Sequence, residues 1–147
     1  MIPAGRVVGI DLGSRRIGMA VSDSAQSVAT PVTTVNRSGD LSADHSAVAA
    51  VAEEYGAVGA VVGLPLSLSG SAGPAAAAVR EEIESLRKVL RIEVETVDER
   101  FTTRVASSGM RAAGRKARRQ REVIDAAAAA ELLQTWLSRR RSAVGES

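Results

Sequence analysis

The fold of this chain is decided by residues 7–23, which read VVGIDLGSRRIGMAVSD. A short apolar run ends at Ile10, and apolar residues later alternate with small ones, as in two strands joined by a tight turn at Gly13. Aspartate is disfavoured in strands, so Asp11 at the end of the first strand needs an explanation. Its carboxylate either begins the turn through an Asx-type hydrogen bond or faces a ligand beside the glycine. This stretch alone leaves both explanations open.

Composition narrows the chemistry that is available. The chain has 147 residues, 45% of them hydrophobic, which suits one domain, expected over residues 1–141 with a flexible tail at 142–147. The sequence has no cysteine, which excludes disulfides and thiolate chemistry. We expect its one histidine, His45, on a solvated helix surface, because its sequence neighbours are polar. Acid-base chemistry must then rest on carboxylates, lysines or metal-bound water.

Charge and hydropathy indicate the compartment and the type of partner. Residues 1–6 are too few for a signal sequence, and no apolar run approaches the roughly 18 residues that span a bilayer, so we expect a cytoplasmic protein. The net charge is only +2, yet residues 111–121 concentrate basic side chains without an acid. This segment favours an anionic partner bound through phosphates, because aromatic residues for base stacking are scarce. The alternative is a disordered loop that only aids solubility.

The rest of the chain predicts three more strands and four helices. Strands are indicated at Pro31 to Val35, which completes a three-strand meander, and at Val58 to Val62 and Ile92 to Val97. Helices are indicated at Leu41 to Tyr55, Pro74 to Leu90, Thr102 or Thr103 to about Ala113, and Val123 to Leu137. Because crossovers are right-handed, the last two strands lie parallel to the first. The fold class is therefore α/β, a mixed five-stranded sheet with helices on both faces.

Acidic residues meet at one edge of this predicted sheet. The carboxyl ends of strands one, four and five share the edge where α/β proteins bind ligands, and Asp11, Asp98 and Glu99 lie there. Asp125 borders the apolar stripe of the last helix, although an acid in a first helical turn also stabilises the helix dipole. Together these carboxylates could hold two divalent cations, Mg²⁺ or Mn²⁺, and so support phosphodiester hydrolysis by a two-metal-ion mechanism. Strand alternation lets only one of Asp98 and Glu99 point inward, and which one stays open.

Three segments resemble one protein family. They are GIDLGSRRIGMAVSD at 9–23, VVGLPLSLSGSAGPAAAAV at 61–79 and DERFTT at 98–103, followed by the basic segment and VIDAAAAAELL at 123–133. In this order they are similar to the YqgF (RuvX) family of Holliday junction resolvase-like proteins, usually described as pre-16S rRNA nucleases. The resemblance implies a ribonuclease H-like fold and a metal-dependent nuclease. Its acids would be Asp11, Asp98, Glu99 and Asp125, with Arg100, Thr102 and Thr103 nearby.

We expect nucleic acid to be bound by basic residues of the first turn and of the basic segment. These are Arg16, Arg115, Lys116, Arg118, Arg119 and Arg121, together with Arg100, Thr102 and Thr103. The resemblance implies structured RNA as the substrate, in the 5′ maturation of pre-16S rRNA during ribosome biogenesis. One alternative is a Holliday junction resolvase that acts on four-way DNA. Others are a non-catalytic RNA-binding ribosome-assembly factor and, from Asp11-Leu12-Gly13-Ser14, an ATP-binding domain.

Overall fold

The computed structural model describes residues 1–65, 74–98 and 117–143. Its elements are β1 (Val7–Leu12), β2 (Arg16–Ser22), β3 (Ala29–Asn36), α1 (Leu41–Glu54), β4 (Gly59–Leu64), α2 (Pro74–Leu90), β5 (Glu93–Asp98) and α3 (Ala117–Ala143). The strands form one sheet in the order β3-β2-β1-β4-β5, with β1 to β3 antiparallel and with β4 and β5 parallel to β1. The predicted strand order and directions are confirmed. The helix predicted to start at Thr102 or Thr103 lies outside the described residues.

Strand alternation produces two cores, one on each face of the sheet. Val8 and Ile10 of β1 pack in the core that α1 and α2 cover. Val7 packs instead with α3, in a core that also contains Leu133. Helices therefore cover both faces, as predicted. Because side chains alternate along a strand, Asp11 belongs to the face of the sheet that α3 covers.

The last helix is longer than predicted. The sequence predicts helix from Val123 to Leu137 after a basic loop, but α3 begins at Ala117 and ends at Ala143. The prediction ended where the apolar stripe ends, whereas arginine and glutamine are good helix formers and extend the helix in both directions. Part of the predicted basic loop is therefore helical, and Asp125 lies more than two turns into α3. Among the described helices, α3 included, none is long and apolar enough to cross a membrane.

The sequence predicts a solvated helix surface for His45, and this prediction is wrong. His45 lies in α1 with an exposed fraction of 1%, and its Nε2 is 2.8 Å from Oε2 of Glu82 on α2. Its polar neighbours were misleading, because Asp44 is buried too and accepts hydrogen bonds from the backbone and hydroxyl of Ser38. Glu82 also accepts hydrogen bonds from both Nη atoms of Arg37, at 2.9 and 3.0 Å. A partly buried ionic network therefore joins α1, α2 and the residue that follows β3.

The two edge strands are β3, which contains a proline, and β5, which the first residues of the chain contact. Pro31 lies in β3 and has no backbone N–H to donate. In β5, the carboxylate of Glu93 accepts a hydrogen bond from the Met1 ammonium at 3.0 Å, and that of Glu95 accepts one from the Ile2 N–H at 3.2 Å. The first residues of the chain thus lie against β5.

We expect Glu82→Gln to destabilise the protein, and to do so less in acid. Burial alone would raise the pKa of the Glu82 carboxyl, but hydrogen bonds and charges from Arg37 and His45 outweigh burial and hold this pKa below its ordinary value. Above about pH 4.3, the usual pKa of an unfolded glutamate, the charged carboxylate therefore contributes its full stabilisation of the folded protein. This stabilisation is lost as the pH falls through the lower folded-state pKa. At neutral pH the substitution should cost about 2 to 3 kcal/mol of unfolding free energy.

Urea unfolding at neutral pH and at about pH 3 measures this effect. The matched control is Glu81→Gln, at the exposed neighbouring position on α2, which should stay within about 0.5 kcal/mol of wild type. A stability difference between wild type and Glu82→Gln that is the same at both pH values contradicts the assigned role of the carboxylate.

Candidate active site

The turn between β1 and β2 places Asp11 near the end of β1. Asp11 pairs with Gly18 across the hairpin, and the Gly13 N–H donates to the Asp11 carbonyl oxygen at 3.0 Å. A Cβ atom at Gly13 would lie 2.6 Å from the Arg16 carbonyl oxygen, so this tight turn requires glycine. The glycine beside the acid is therefore a requirement of the turn itself.

α3 packs on the hairpin where β1 and β2 carry glycine. A Cβ atom at Gly18 would collide with the backbone carbonyl oxygen of Asp125, and one at Gly9 would lie 2.7 Å from Cβ of Leu133. Because Gly18 is the cross-strand partner of Asp11, this contact brings Asp125 to the Asp11 side of the sheet. Two carboxylates from opposite ends of the chain therefore line one cleft.

Arg16 forms an ion pair with Asp125. Its Nε donates to Oδ2 of Asp125 at 2.5 Å, and the two side chains are 17% and 28% exposed. The sequence also allowed the interpretation that Asp125 only stabilises the helix dipole, and this interpretation is wrong. The dipole effect is confined to the terminal turns of a helix, and Asp125 lies beyond the first turn of α3. The Asp125 carboxylate is instead held by a side chain of the hairpin.

The cleft has a volume of about 380 Å³. Its lining consists of Asp11, Leu12, Gly13, Ser14, Arg15, Arg16, Pro65 and Asp125. A larger cavity of about 690 Å³ lies near the opposite ends of the parallel strands, where α1 and α2 end, and residues such as Glu53 and Lys88 line it. We place the candidate site in the smaller cleft, because that cleft joins two carboxylates to guanidinium groups.

Asp98 lies on the other side of the sheet from this cleft. It ends β5 in register with Leu64, and its neighbour Val97 packs in the core under α3. Alternation therefore puts Asp98 on the face opposite Asp11. Within the described residues, no three acidic or histidine side chains form a group that could hold a metal ion. The described part of the structure thus brings together Asp11 and Asp125 but not Asp98.

The structure does not describe the side chains of the remaining predicted site residues. Glu99, Arg100, Thr102, Thr103, Arg115 and Lys116 are not among the described residues. Arg118, Arg119 and Arg121 belong to the first turns of α3, but their side chains are not described. Nucleic-acid contacts at these positions therefore stay predictions.

Some cleft and supporting residues were not recognised in the sequence as functional. Arg15 was not among the predicted nucleic-acid-binding residues, although it lines the cleft beside Arg16. Arg37 was not among them either. Its Nε donates to the Gly13 carbonyl oxygen at 2.7 Å, a long-range contact that no local pattern reveals.

Asp23, the second acid of the stretch 7–23, has a different role from Asp11. The Ser27 hydroxyl and the backbone N–H groups of Val28 and Ser27 donate to its carboxylate, and these hydrogen bonds lower the pKa of Asp23 to about 2. Asp23 follows β2 at the end of the strand opposite Arg16. It therefore stabilises the connection between β2 and β3.

The donor groups of the cleft fit a hard divalent cation. Asp11 and Asp125 present carboxylate oxygens, the ligands that Mg²⁺ and Mn²⁺ prefer. The cleft also carries Arg15 and Arg16, and guanidinium groups suit phosphate oxygens. The cleft therefore combines carboxylate oxygens of the kind that a divalent cation prefers with guanidinium groups of the kind that suit a phosphate.

Comparison with known proteins assigns the family. Residues 5–139 match the family model RuvX, which is described as Holliday junction resolvase. The chain belongs to the RuvX family. A relative from Anaeromyxobacter dehalogenans (strain 2CP-C), named "Putative pre-16S rRNA nuclease", is 47% identical over 92% of this chain and 98% of its own length. A relative of the same name from Mycolicibacterium paratuberculosis (strain ATCC BAA-968 / K-10) is 46% identical over 97% of this RuvX-family chain and 86% of its own.

Solved structures confirm the predicted architecture. A T. thermophilus RuvC in complex with Holliday junction substrate matches with a TM-score of 0.56 at 15% identity, over 97% of each chain. A further Thermus thermophilus RuvC structure matches with a TM-score of 0.54 at 14% identity, over 93% of this chain and 96% of its own. At these identities the likeness shows the fold alone. The RuvX-family chain therefore has the ribonuclease H-like fold that its three sequence segments implied.

We expect Gly18→Ala to destabilise the protein by about 2 to 3 kcal/mol, because the added methyl group overlaps the Asp125 backbone and must displace α3. Urea unfolding measures the change. Thr30→Ala, at an exposed position of the neighbouring strand β3, is the control and should cost less than about 1 kcal/mol. Equal stabilities of the two variants would contradict the close approach of α3 to Gly18.

We expect Arg16→Gln to lower the unfolding free energy of the cation-free protein by about 1 kcal/mol, because the Asp125 carboxylate loses its partner. Arg15→Gln removes the same charge from the exposed adjacent position and should change stability by less than about 0.5 kcal/mol. A double-mutant cycle with Asp125→Asn isolates the coupling between the two side chains. A coupling energy near zero would show that the ion pair does not contribute to folding.

Proposed function

We propose that this RuvX-family protein is a divalent-cation-dependent nuclease that hydrolyses phosphodiester bonds in structured RNA, with the 5′ region of pre-16S rRNA as its substrate. The observation that carries the proposal is the cleft in which Asp11 and Asp125 lie together with Arg15 and Arg16. The names of relatives at 46% and 47% identity support the choice of substrate.

Each cleft residue has a task in this proposal. Asp11 and Asp125 would hold the two predicted divalent cations, which would supply activation of the attacking water and stabilisation of the leaving oxygen. Arg15 and Arg16 bind phosphate oxygens and so position the nucleic-acid backbone over the carboxylates. The sheet and α3 fix both carboxylates before the substrate arrives, which limits reorganisation during the reaction. The buried His45 takes no part, because Glu82 occupies its Nε2 on the opposite face of the sheet.

The proposal assigns the third carboxylate to Glu99 rather than to Asp98. Asp98 lies on the face of the sheet opposite Asp11. In the DER segment at 98–100, Glu99 is then the remaining acid. A hard divalent cation takes six or more oxygen ligands, so a third acid beside Asp11 and Asp125 would strengthen the site.

Four-way DNA is the second candidate substrate. The RuvX family is described as Holliday junction resolvase, and T. thermophilus RuvC has been solved in complex with a Holliday junction substrate. Both candidates use the same cleft and the same cation chemistry. They differ only in the nucleic acid that reaches the carboxylates, so a direct comparison of the two substrates separates them.

The test measures cleavage of a pre-16S rRNA 5′ fragment and of a four-way DNA junction, with Mg²⁺ or Mn²⁺ and with EDTA. We expect cation-dependent cutting of the RNA, lowered at least about 100-fold by Asp11→Asn or Asp125→Asn, because each substitution weakens cation binding. Glu99→Gln should lower it similarly, whereas Asp98→Asn should have little effect. Asp40→Asn is the matched control, since asparagine caps a helix about as well as aspartate.

Three outcomes would change the conclusion. Cutting of the DNA junction alone would support the second candidate. Cutting that persists in Asp11→Asn and Asp125→Asn, with normal folding, would place the chemistry elsewhere. Binding of RNA without cutting under either cation would support a non-catalytic ribosome-assembly factor.

A further inference from the structure

Arg37 contacts the turn that lines the cleft at two points. Its side-chain Nε donates to the Gly13 carbonyl oxygen at 2.7 Å, and its backbone N–H donates to the Arg15 carbonyl oxygen at 3.0 Å. Gly13 and Arg15 both line the cleft and lie between Asp11 and Arg16 along the chain. Arg37 therefore holds, through two hydrogen bonds, the segment that connects Asp11 to Arg16.

The other end of the Arg37 side chain is anchored on α2. Both Nη atoms donate to the two carboxylate oxygens of Glu82, at 2.9 and 3.0 Å. The Arg37 and Glu82 side chains are 18% and 14% exposed, so solvent screens the pair only weakly. Bidentate pairing fixes the plane of a guanidinium group. In the plane fixed by Glu82, the Arg37 Nε–H group points at the Gly13 carbonyl oxygen.

Glu82, which binds the Arg37 guanidinium, is itself held in place by a residue of α1. His45 Nε2 lies 2.8 Å from the same Oε2 of Glu82 that accepts from Arg37, and His45 is 1% exposed. The backbone after Arg37 is fixed as well, because the Ser38 N–H and hydroxyl both donate to the buried Asp44. The main chain and the side chain of Arg37 are thus restrained independently.

We propose that Arg37 is a positioning residue for the cleft, which it serves by setting the conformation of the β1–β2 turn through Glu82 and His45. This inference rests on the proposed nuclease function. Catalysis is sensitive to misplacements of about 1 Å, and the turn separates Asp11 from the Arg16 that pairs with Asp125. Lysine cannot replace Arg37, because an ammonium group lacks the fork that reaches Glu82 and Gly13 together.

The experiment compares wild type, Arg37→Lys and the control Arg80→Lys, an exposed arginine on α2. Hydrogen exchange is measured on the peptide covering residues 11–18, and single-turnover cleavage and substrate Kd are measured on the pre-16S rRNA 5′ fragment. In Arg37→Lys we expect turn amides to exchange about tenfold faster and cleavage to slow by about tenfold or more, with Kd changed less than about threefold. Arg80→Lys should match wild type in all three measurements.

The outcomes separate this inference from the proposed function. Wild-type exchange of the turn in Arg37→Lys, or a loss of affinity without a loss of rate, would overturn the positioning role while the nuclease function stands. Faster exchange in Arg37→Lys, combined with a wild-type protein that cuts neither the RNA nor a four-way DNA junction, would refute the nuclease function, and Arg37 would then only stabilise the turn. If Arg37→Lys does not fold, Glu82→Gln tests the same contact, and it should show faster turn exchange and slower cleavage than Glu81→Gln.

Discussion

The close approach of α3 to the β1–β2 hairpin is the constraint on which the candidate site depends. Gly9 and Gly18 have no side chains, so the backbone of the helix lies directly against the strands. The buried residues of α3 in this region include Ala126 and Ala129, and larger side chains there would lift the helix from the sheet. The contact fixes where Asp125 lies relative to Asp11, although the two acids are far apart in the chain.

The cleft is supported from both faces of the sheet by different types of interaction. On one face, backbone packing against glycine places Asp125, and Arg16 then pairs with it. On the other face, the ionic network of Arg37, Glu82 and His45 holds the turn without entering the cleft. The sheet separates the two supports, and Arg37 contacts the cleft through the backbone of the turn.

Sequence reasoning predicted the strand order for physical reasons. Apolar runs, alternation and right-handed crossovers depend on local sequence, and they put Asp11 at the end of β1, where the structure has it. They could not reveal contacts between distant residues, such as Arg16 with Asp125 or His45 with Glu82, because a local pattern does not identify the partner of a side chain elsewhere in the chain. Polar neighbours placed His45 at the surface, yet a fixed partner on another helix made its burial possible.

Periodicity also set the limits of what could be predicted for the last helix. The apolar stripe marks only the part of α3 that packs on the sheet, whereas the charged turns beyond it are helical by intrinsic propensity. The first-turn position inferred for Asp125 was wrong for this reason. Asp125 lies well inside the helix, and its carboxylate pairs with Arg16 of the hairpin.

The β3 edge of the sheet bears on how the protein behaves when concentrated. An exposed strand edge is a template on which another chain can add a strand, the first step toward amyloid-like aggregates. Pro31 has no N–H, and sheets tolerate proline at edges for this reason. A second chain that paired along β3 would find no donor at this residue. Sheet growth from the β3 edge is therefore disfavoured for as long as the native sheet persists.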